Sequence, residues 1–201
     1  MTPELLLALV AYAFVSSITP GPNNAMVLAS GTNFGLRATL PHVVGINLGF
    51  GFMVIAVGLG IGALFEAFPP LQTALRWGGA IWLCWLAWKI ANAGGADAKG
   101  RKPRPMTFFE AAGFQWINPK AWVMSIGAVA AYVPHQGFFT NILLAGLVFA
   151  IISFPATMTW TIAGTALRQW LSSPLRLRTF NISMALLLVL SLVPVLFVDL
   201  R

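Results

Sequence analysis

Charge is what this chain has least of. Only 8% of its 201 residues are Asp, Glu, Lys or Arg, while 58% are hydrophobic. A soluble domain averages about 25% charged residues, so a water-facing surface cannot be assembled from this composition, and the mean hydropathy of +0.82 agrees. Cysteine is nearly absent as well. Cys84 stands alone, which excludes an internal disulfide and any paired-thiol relay; a small buried apolar role is expected for it. Carboxylates number five and none falls clearly inside an apolar run, so the intramembrane acid that many proton-coupled carriers use is missing. The opening Met-Thr-Pro-Glu lacks the basic stretch of a signal peptide. The first apolar segment is therefore expected to stay as a membrane helix.

What is present is apolar length. A spanning helix needs roughly 20 apolar residues, and six windows supply them: 5–28, 40–65, 70–92, 111–133, 138–167 and 180–198. The fifth exceeds the need, so tilt or a frayed end is expected. The 12 Lys and Arg against 5 Asp and Glu give a formal charge of +7. In a soluble protein that excess would raise the question of nucleic acid; here it lies between apolar runs and reads as topology. Arg37, Lys89, Lys99, Arg101, Lys102, Arg104, Lys120, Arg168, Arg176 and Arg178 all fall on one side of a six-helix arrangement, and only Arg76 and Arg201 fall opposite. The cation-rich side is cytoplasmic by the positive-inside rule. Both termini, with Glu4, Glu66 and Asp199, are then outside.

Residues 93–107 form the one polar stretch, rich in Gly, Pro and cations. They read as a cytoplasmic linker between a three-helix half at 1–92 and another at 108–201. Three helices per half oblige the second half to enter from the opposite side. If the halves are related, they form an inverted repeat of the kind found in secondary transporters. The expected fold class is thus an all-α membrane protein of six transmembrane helices, in two inverted three-helix repeats.

Carriers of this kind bind solutes where helices break, because the break frees backbone groups. The first window contains Thr19-Pro20-Gly21-Pro22-Asn23-Asn24. Two prolines remove backbone donors there, and Gly21 eases non-helical dihedrals. At about 1.5 Å per residue from Glu4, the break lies roughly 20 to 28 Å deep, in the inner half of the bilayer. The fourth window contains Asn118-Pro119-Lys120, and the run after it is too short to span alone, which places Lys120 about 10 Å or more from the inner face.

Each feature has a plainer reading beside the functional one. The first break can be a proline kink that only shapes packing. Lys120 can snorkel to the headgroups or pair with a substrate carboxylate. Gly45, Gly49, Gly51, Gly58, Gly60 and Gly62 make a small-residue packing face, within the chain or across a dimer. His42 and His135 suit an interface better than proton transfer, although His titrates in the right range; Glu110 suits an ordinary interfacial charge. His42 and Glu110 are the candidates for ion coupling. Trp77, Trp82, Trp85, Trp88, Trp116, Trp122, Trp160 and Trp170 read as anchors and packing rather than a cation cage. A membrane enzyme or electron relay would need paired cysteines, paired carboxylates or a metal-ligand cluster, and none of these is present in the sequence.

The run Thr19 to Asn23, Gly35, Gly45 to Gly49, the Trp85-Leu86-Ala87-Trp88-Lys89 end of the third window and Asn118-Pro119-Lys120 together resemble the LysE/RhtB amino acid exporters over essentially the whole chain. Asn23-Asn24, Leu86 to Ile90 and Asn181 with the leucines after it look most like the branch that exports cysteine and O-acetylserine. The homoserine, threonine and other neutral amino acid exporters stay open. The resemblance implies efflux of a small amino acid or derivative across a bacterial inner membrane, driven by proton antiport, with periplasmic termini. It implies no cofactor and no metal. The zwitterion is expected at Thr19, Pro20, Gly21, Pro22, Asn23, Asn24, Asn118, Pro119 and Lys120, with Lys120 on its carboxylate and freed carbonyls on its ammonium. The partners expected are the amino acid, protons and the lipid bilayer, with a homo-oligomer open and no nucleic acid. The alternative is a channel or transporter for a metal ion or another small solute, or a helper in a larger complex.

Overall fold

A computed structural model of the chain describes residues 1–61, 67–93 and 103–192. Among the described residues the regular structure is entirely helical. Helix α1 (Pro3–Ile18) starts where the Thr2 hydroxyl accepts from the Leu5 amide and Pro3 fills the first turn. Its continuation α2 (Pro22–Phe34) is bent from it by 56°. Gly35, at φ 83°, ends α2 and opens α3 (Leu36–Ala56). That left-handed dihedral suits glycine, so the chain turns within one residue. A π-helical turn, Val57–Ile61, prolongs α3, and Gly60 at φ 102° breaks it. Helix α4 (Pro69–Ala91) follows.

The fourth window is assembled from three pieces: α5 (Phe108–Phe114), a 3-10 turn (Gln115–Ile117) and α6 (Pro119–Tyr132). Gly137, left-handed at φ 66°, opens α7 (Phe138–Trp170), whose 33 residues run through Pro155. At 1.5 Å per residue α7 is about 50 Å long, well beyond a hydrocarbon core of about 30 Å. Helix α8 (Pro174–Leu190) begins six residues before the expected 180, because Pro174 sits well at a first helical position and the cations Arg176 and Arg178 fit an interfacial first turn. Residues Leu36–Ile61 and Phe138–Trp170 are each long and apolar enough to cross a bilayer, and the bent α1–α2 pair makes a third such span.

Four glycines of the second window are used inside the chain, while Gly60 meets no neighbour. A Cβ on Gly49 would lie 2.5 Å from Ala112 Cα, and one on Gly51 would lie 2.7 Å from the Gly146 carbonyl oxygen. Gly45 meets the Phe108 carbonyl and Gly58 the Ile142 side chain in the same way. Helix α3 therefore lies backbone against backbone on α5 and α7, as small residues allow. Gly62 lies outside the described residues, as do Glu66, Lys99, Arg101, Lys102, Asp199 and Arg201. The main packing partners cross the linker: α7 takes α1, α2 and α3, while α4 takes α8. Cys84 departs from expectation. It is exposed on α4, on the face that also shows Ile81, Trp85 and Trp88, where lipid offers it the same apolar setting that a core would.

Candidate functional site

The break between α1 and α2 fixes the accounting of backbone groups. In an unbroken helix the Ile18 carbonyl would pair with residue 22, which is a proline without a donor. Ser17, Thr19 and Pro20 lose their partners where the chain straightens at Gly21. An unmet carbonyl costs about 1 to 3 kcal/mol, and more in lipid, so each needs another donor. The Trp160 indole donates to Ile18 O at 3.0 Å. The Asn24 amide donates to Ser17 O and Thr19 O, both at 2.8 Å. The Lys120 ammonium donates to Thr19 O at 2.6 Å and reaches Pro20 O at 3.4 Å.

Lys120 comes from the second break. Asn118 is extended there, and its side chain accepts from the Lys120 amide at 3.1 Å, capping α6. Pro119 occupies the first helical position, as α6 prefers. The two breaks are also tied by reciprocal amides: Asn23 donates to Gln115 at 2.8 Å, and Gln115 donates back at 3.2 Å. Gln115 is fully buried. Gly21 keeps space for the lysine, since a Cβ there would stand 2.7 Å from Lys120 Cδ.

Between the breaks lies a small open cleft, with Ser17, Asn24, Phe50, Asn118, Lys120 and Ser153 on its walls. Ser17 and Ser153 share a hydrogen bond of 2.7 Å across it. Asn47 binds Thr157 at 2.9 Å nearby, leaving its own carbonyl oxygen without a donor. The first turn of α2 has no side-chain cap, so its amide hydrogens and the positive end of its dipole are open to an anion. On the side toward the α1 N-terminus, Tyr12, Tyr132, Phe149 and Phe50 stack in edge and tilted contacts with centroids 5.0 to 6.1 Å apart.

The structure thus brings Thr19, Pro20, Gly21, Pro22, Asn23, Asn24, Asn118, Pro119 and Lys120 to one place. Within it, the amides of Asn23 and Asn24 are already engaged in holding the breaks. The Lys120 ammonium points to the carbonyls of the first break. His42 and Glu110 stand elsewhere, together in a second cleft beside the linker. Glu110 caps α5 with Thr107 and takes both arms of Arg104 at 2.7 Å. The Arg104 guanidinium holds its carboxyl at about 2, below the ordinary 4.5. Sequence reasoning missed Gln115 and Trp160. Neither carries a local signal, since a glutamine in a 3-10 turn and a tryptophan in a long helix acquire their roles only through contacts more than 90 residues away. Among the described residues no three His, Cys, Asp or Glu side chains gather as a metal ion would require.

The family description "LysE type translocator" matches residues 14–197. The chain belongs to the LysE family. Its curated relatives include the "Cysteine/O-acetylserine efflux protein" of Salmonella paratyphi A and that of Salmonella typhimurium, each 34% identical over 195 residues, covering 94% of this chain and 96% of theirs. The protein of the same name from Escherichia coli K12 is 31% identical over 191 residues, with the same coverage. No solved structure matches the chain. Membership makes this LysE-family chain a bacterial membrane transporter rather than an enzyme, in keeping with its apolar helices.

Proposed function

We propose that the chain exports a small neutral amino acid or derivative, such as cysteine, O-acetylserine, homoserine or threonine, from the cytoplasm across the bacterial inner membrane in exchange for protons. The names of the relatives support the substrate class. Six spans with both termini in the periplasm are supported by the six apolar windows and the charge asymmetry. Two inverted repeats, 1–92 and 108–201 joined by the linker 93–107, are supported by breaks at corresponding places in the first helix of each half. They are supported again by the packing of corresponding helices, α3 on α7 and α4 on α8.

One observation carries the mechanism: a primary ammonium, that of Lys120, already sits on the carbonyls freed at the first break. The ammonium of an amino acid has the same chemistry and takes Thr19 O and Pro20 O in its place. The displaced Lys120 then meets the substrate carboxylate, which the uncapped first turn of α2 also attracts. The exchange leaves no charge unpaired in the cleft, which matters at low dielectric. The aromatic cluster of Tyr12, Phe50, Tyr132 and Phe149 closes the outer side, as alternating access demands. His42 and Glu110 are the coupling candidates, and Glu110 is held by both arms of Arg104. Replacing Lys120 with Gln tests the exchange. The concentration of amino acid giving half-maximal efflux rises about tenfold or more, the worth of a charge-assisted hydrogen bond, while the amount of protein in the membrane stays unchanged. Unaltered efflux in Lys120→Gln contradicts it.

A further inference from the structure

The second cleft has a chemistry of its own. It is an open cleft beside Arg104 and Pro105 of the linker. On its wall His42 is 2% exposed, and neither ring nitrogen has a hydrogen-bond partner. A neutral imidazole carries one N–H and one lone pair, and leaving both unmet in a buried place is costly. The neighbours that might serve are occupied. Ser30 and Thr39 bond each other at 3.0 Å. Asn33 and Asn181 exchange amide bonds at 2.9 and 3.2 Å, and Glu110 is clamped by Arg104. Among the described residues no side chain is hydrogen-bonded to either nitrogen of His42. At the mouth, Lys89 lies 4.5 Å over the Trp85 ring, and no carboxylate among the described residues pairs with it. Trp82, 4.8 Å from Trp85, continues the apolar wall.

The two clefts follow one another along the same three stretches of chain. On α2, Asn23 and Asn24 face the first cleft and Ala29 and Ser30 the second; on α3, Ile46 and Phe50 face the first and His42 the second. After the linker, Glu110 faces the second, and Asn118 and Lys120 face the first. On α3 the step from His42 to Ile46 is just over one helical turn, about 6 Å.

We propose that the His42 cleft is a second amino acid site, where the solute is held on the linker side before it reaches the broken helices. The carboxylate pairs with Lys89, the ammonium donates to the lone-pair nitrogen of His42, and the side chain lies along Trp82 and Trp85. This rests on the exporter reading, and a direct readout separates the two.

The chain has two histidines, so selective ¹⁵N labelling of histidine in the purified full-length protein gives two rings. His135, stacked near Phe138 at the far turn, is the internal control. Titration with O-acetylserine and with threonine at millimolar concentration is expected to shift the His42 ring signals saturably and leave those of His135 in place. The shift persists in Lys120→Gln, and Lys89→Gln weakens it about tenfold. A His42 signal that ignores both amino acids overturns the site, as does a shift that vanishes in Lys120→Gln and survives in Lys89→Gln. If efflux proceeds while His42 stays still, the site falls and the exporter stands. If His42 shifts in a protein that moves no amino acid, the exporter falls and the site stands.

Discussion

At the scale of single residues, Gly21 bears most directly on Lys120. Its backbone is extended, which any residue adopts, so its role lies in the missing side chain: a Cβ would press on Lys120 Cδ from 2.7 Å. Gly21→Ala is expected to lift the ammonium from Thr19 O and lower efflux by about tenfold to a hundredfold, the usual cost of an ångström of misplacement, at unchanged membrane insertion; full efflux in this variant would mean the lysine has no part in transport. Glu110 supports a second prediction. Its folded carboxyl lies at about 2 against an ordinary 4.5, so the Arg104 clamp stabilises the fold above the ordinary value and is lost as pH falls from there toward 2. Thermal unfolding of the detergent-solubilised protein should weaken between about pH 5 and pH 3, and Glu110→Gln should flatten that slope; an identical slope in both proteins would show that other groups control it. Lys120 was legible in the sequence as a lysine of marginal depth, with two destinations open. Its actual target, a carbonyl 101 residues away, depends on how two helices meet, which no local pattern encodes.

At the scale of elements, the two breaks were legible because proline leaves a covalent mark: it cannot donate, so Thr19-Pro20-Gly21-Pro22 and Asn118-Pro119 had to interrupt their helices. The extent of the second break was not. Gln115–Ile117 tightens into a 3-10 turn before Asn118, so the fourth helix is split into three pieces where one kink was expected. The start of α8 at Pro174 was hidden by the polar residues around it. The joint between the breaks is the Asn23–Gln115 pair. A double-mutant cycle with Asn23→Ala and Gln115→Ala is expected to give a coupling energy of about 0.5 to 1.5 kcal/mol in unfolding, the range for side-chain hydrogen bonds within membranes. Additive single effects would mean that the breaks are held by packing alone. Gly45, Gly49, Gly51 and Gly58 do form a packing face, as expected, whereas Gly60 meets no neighbour; the partners, α5 and α7, became visible only in the fold.

At the scale of the whole molecule, composition points to membrane residence and charge placement to the proposed orientation, and the folded chain adds a cleft lined from both sides of the linker. Thr19 to Asn24 comes from the first half and Gln115, Lys120, Ser153 and Trp160 from the second, so the candidate site exists only when the two are packed together. The chemistry of that cleft, carbonyls for an ammonium and an ammonium with helix amides for a carboxylate, is that of a zwitterion. The most direct test is efflux from proteoliposomes holding the purified protein and loaded with labelled cysteine, O-acetylserine, threonine or leucine, with an imposed proton gradient and after its collapse. The expected result is protein-dependent loss of one or more of these amino acids, cysteine or O-acetylserine first, that slows when the gradient is collapsed. Retention of all four, equal to that of empty liposomes, would contradict the account.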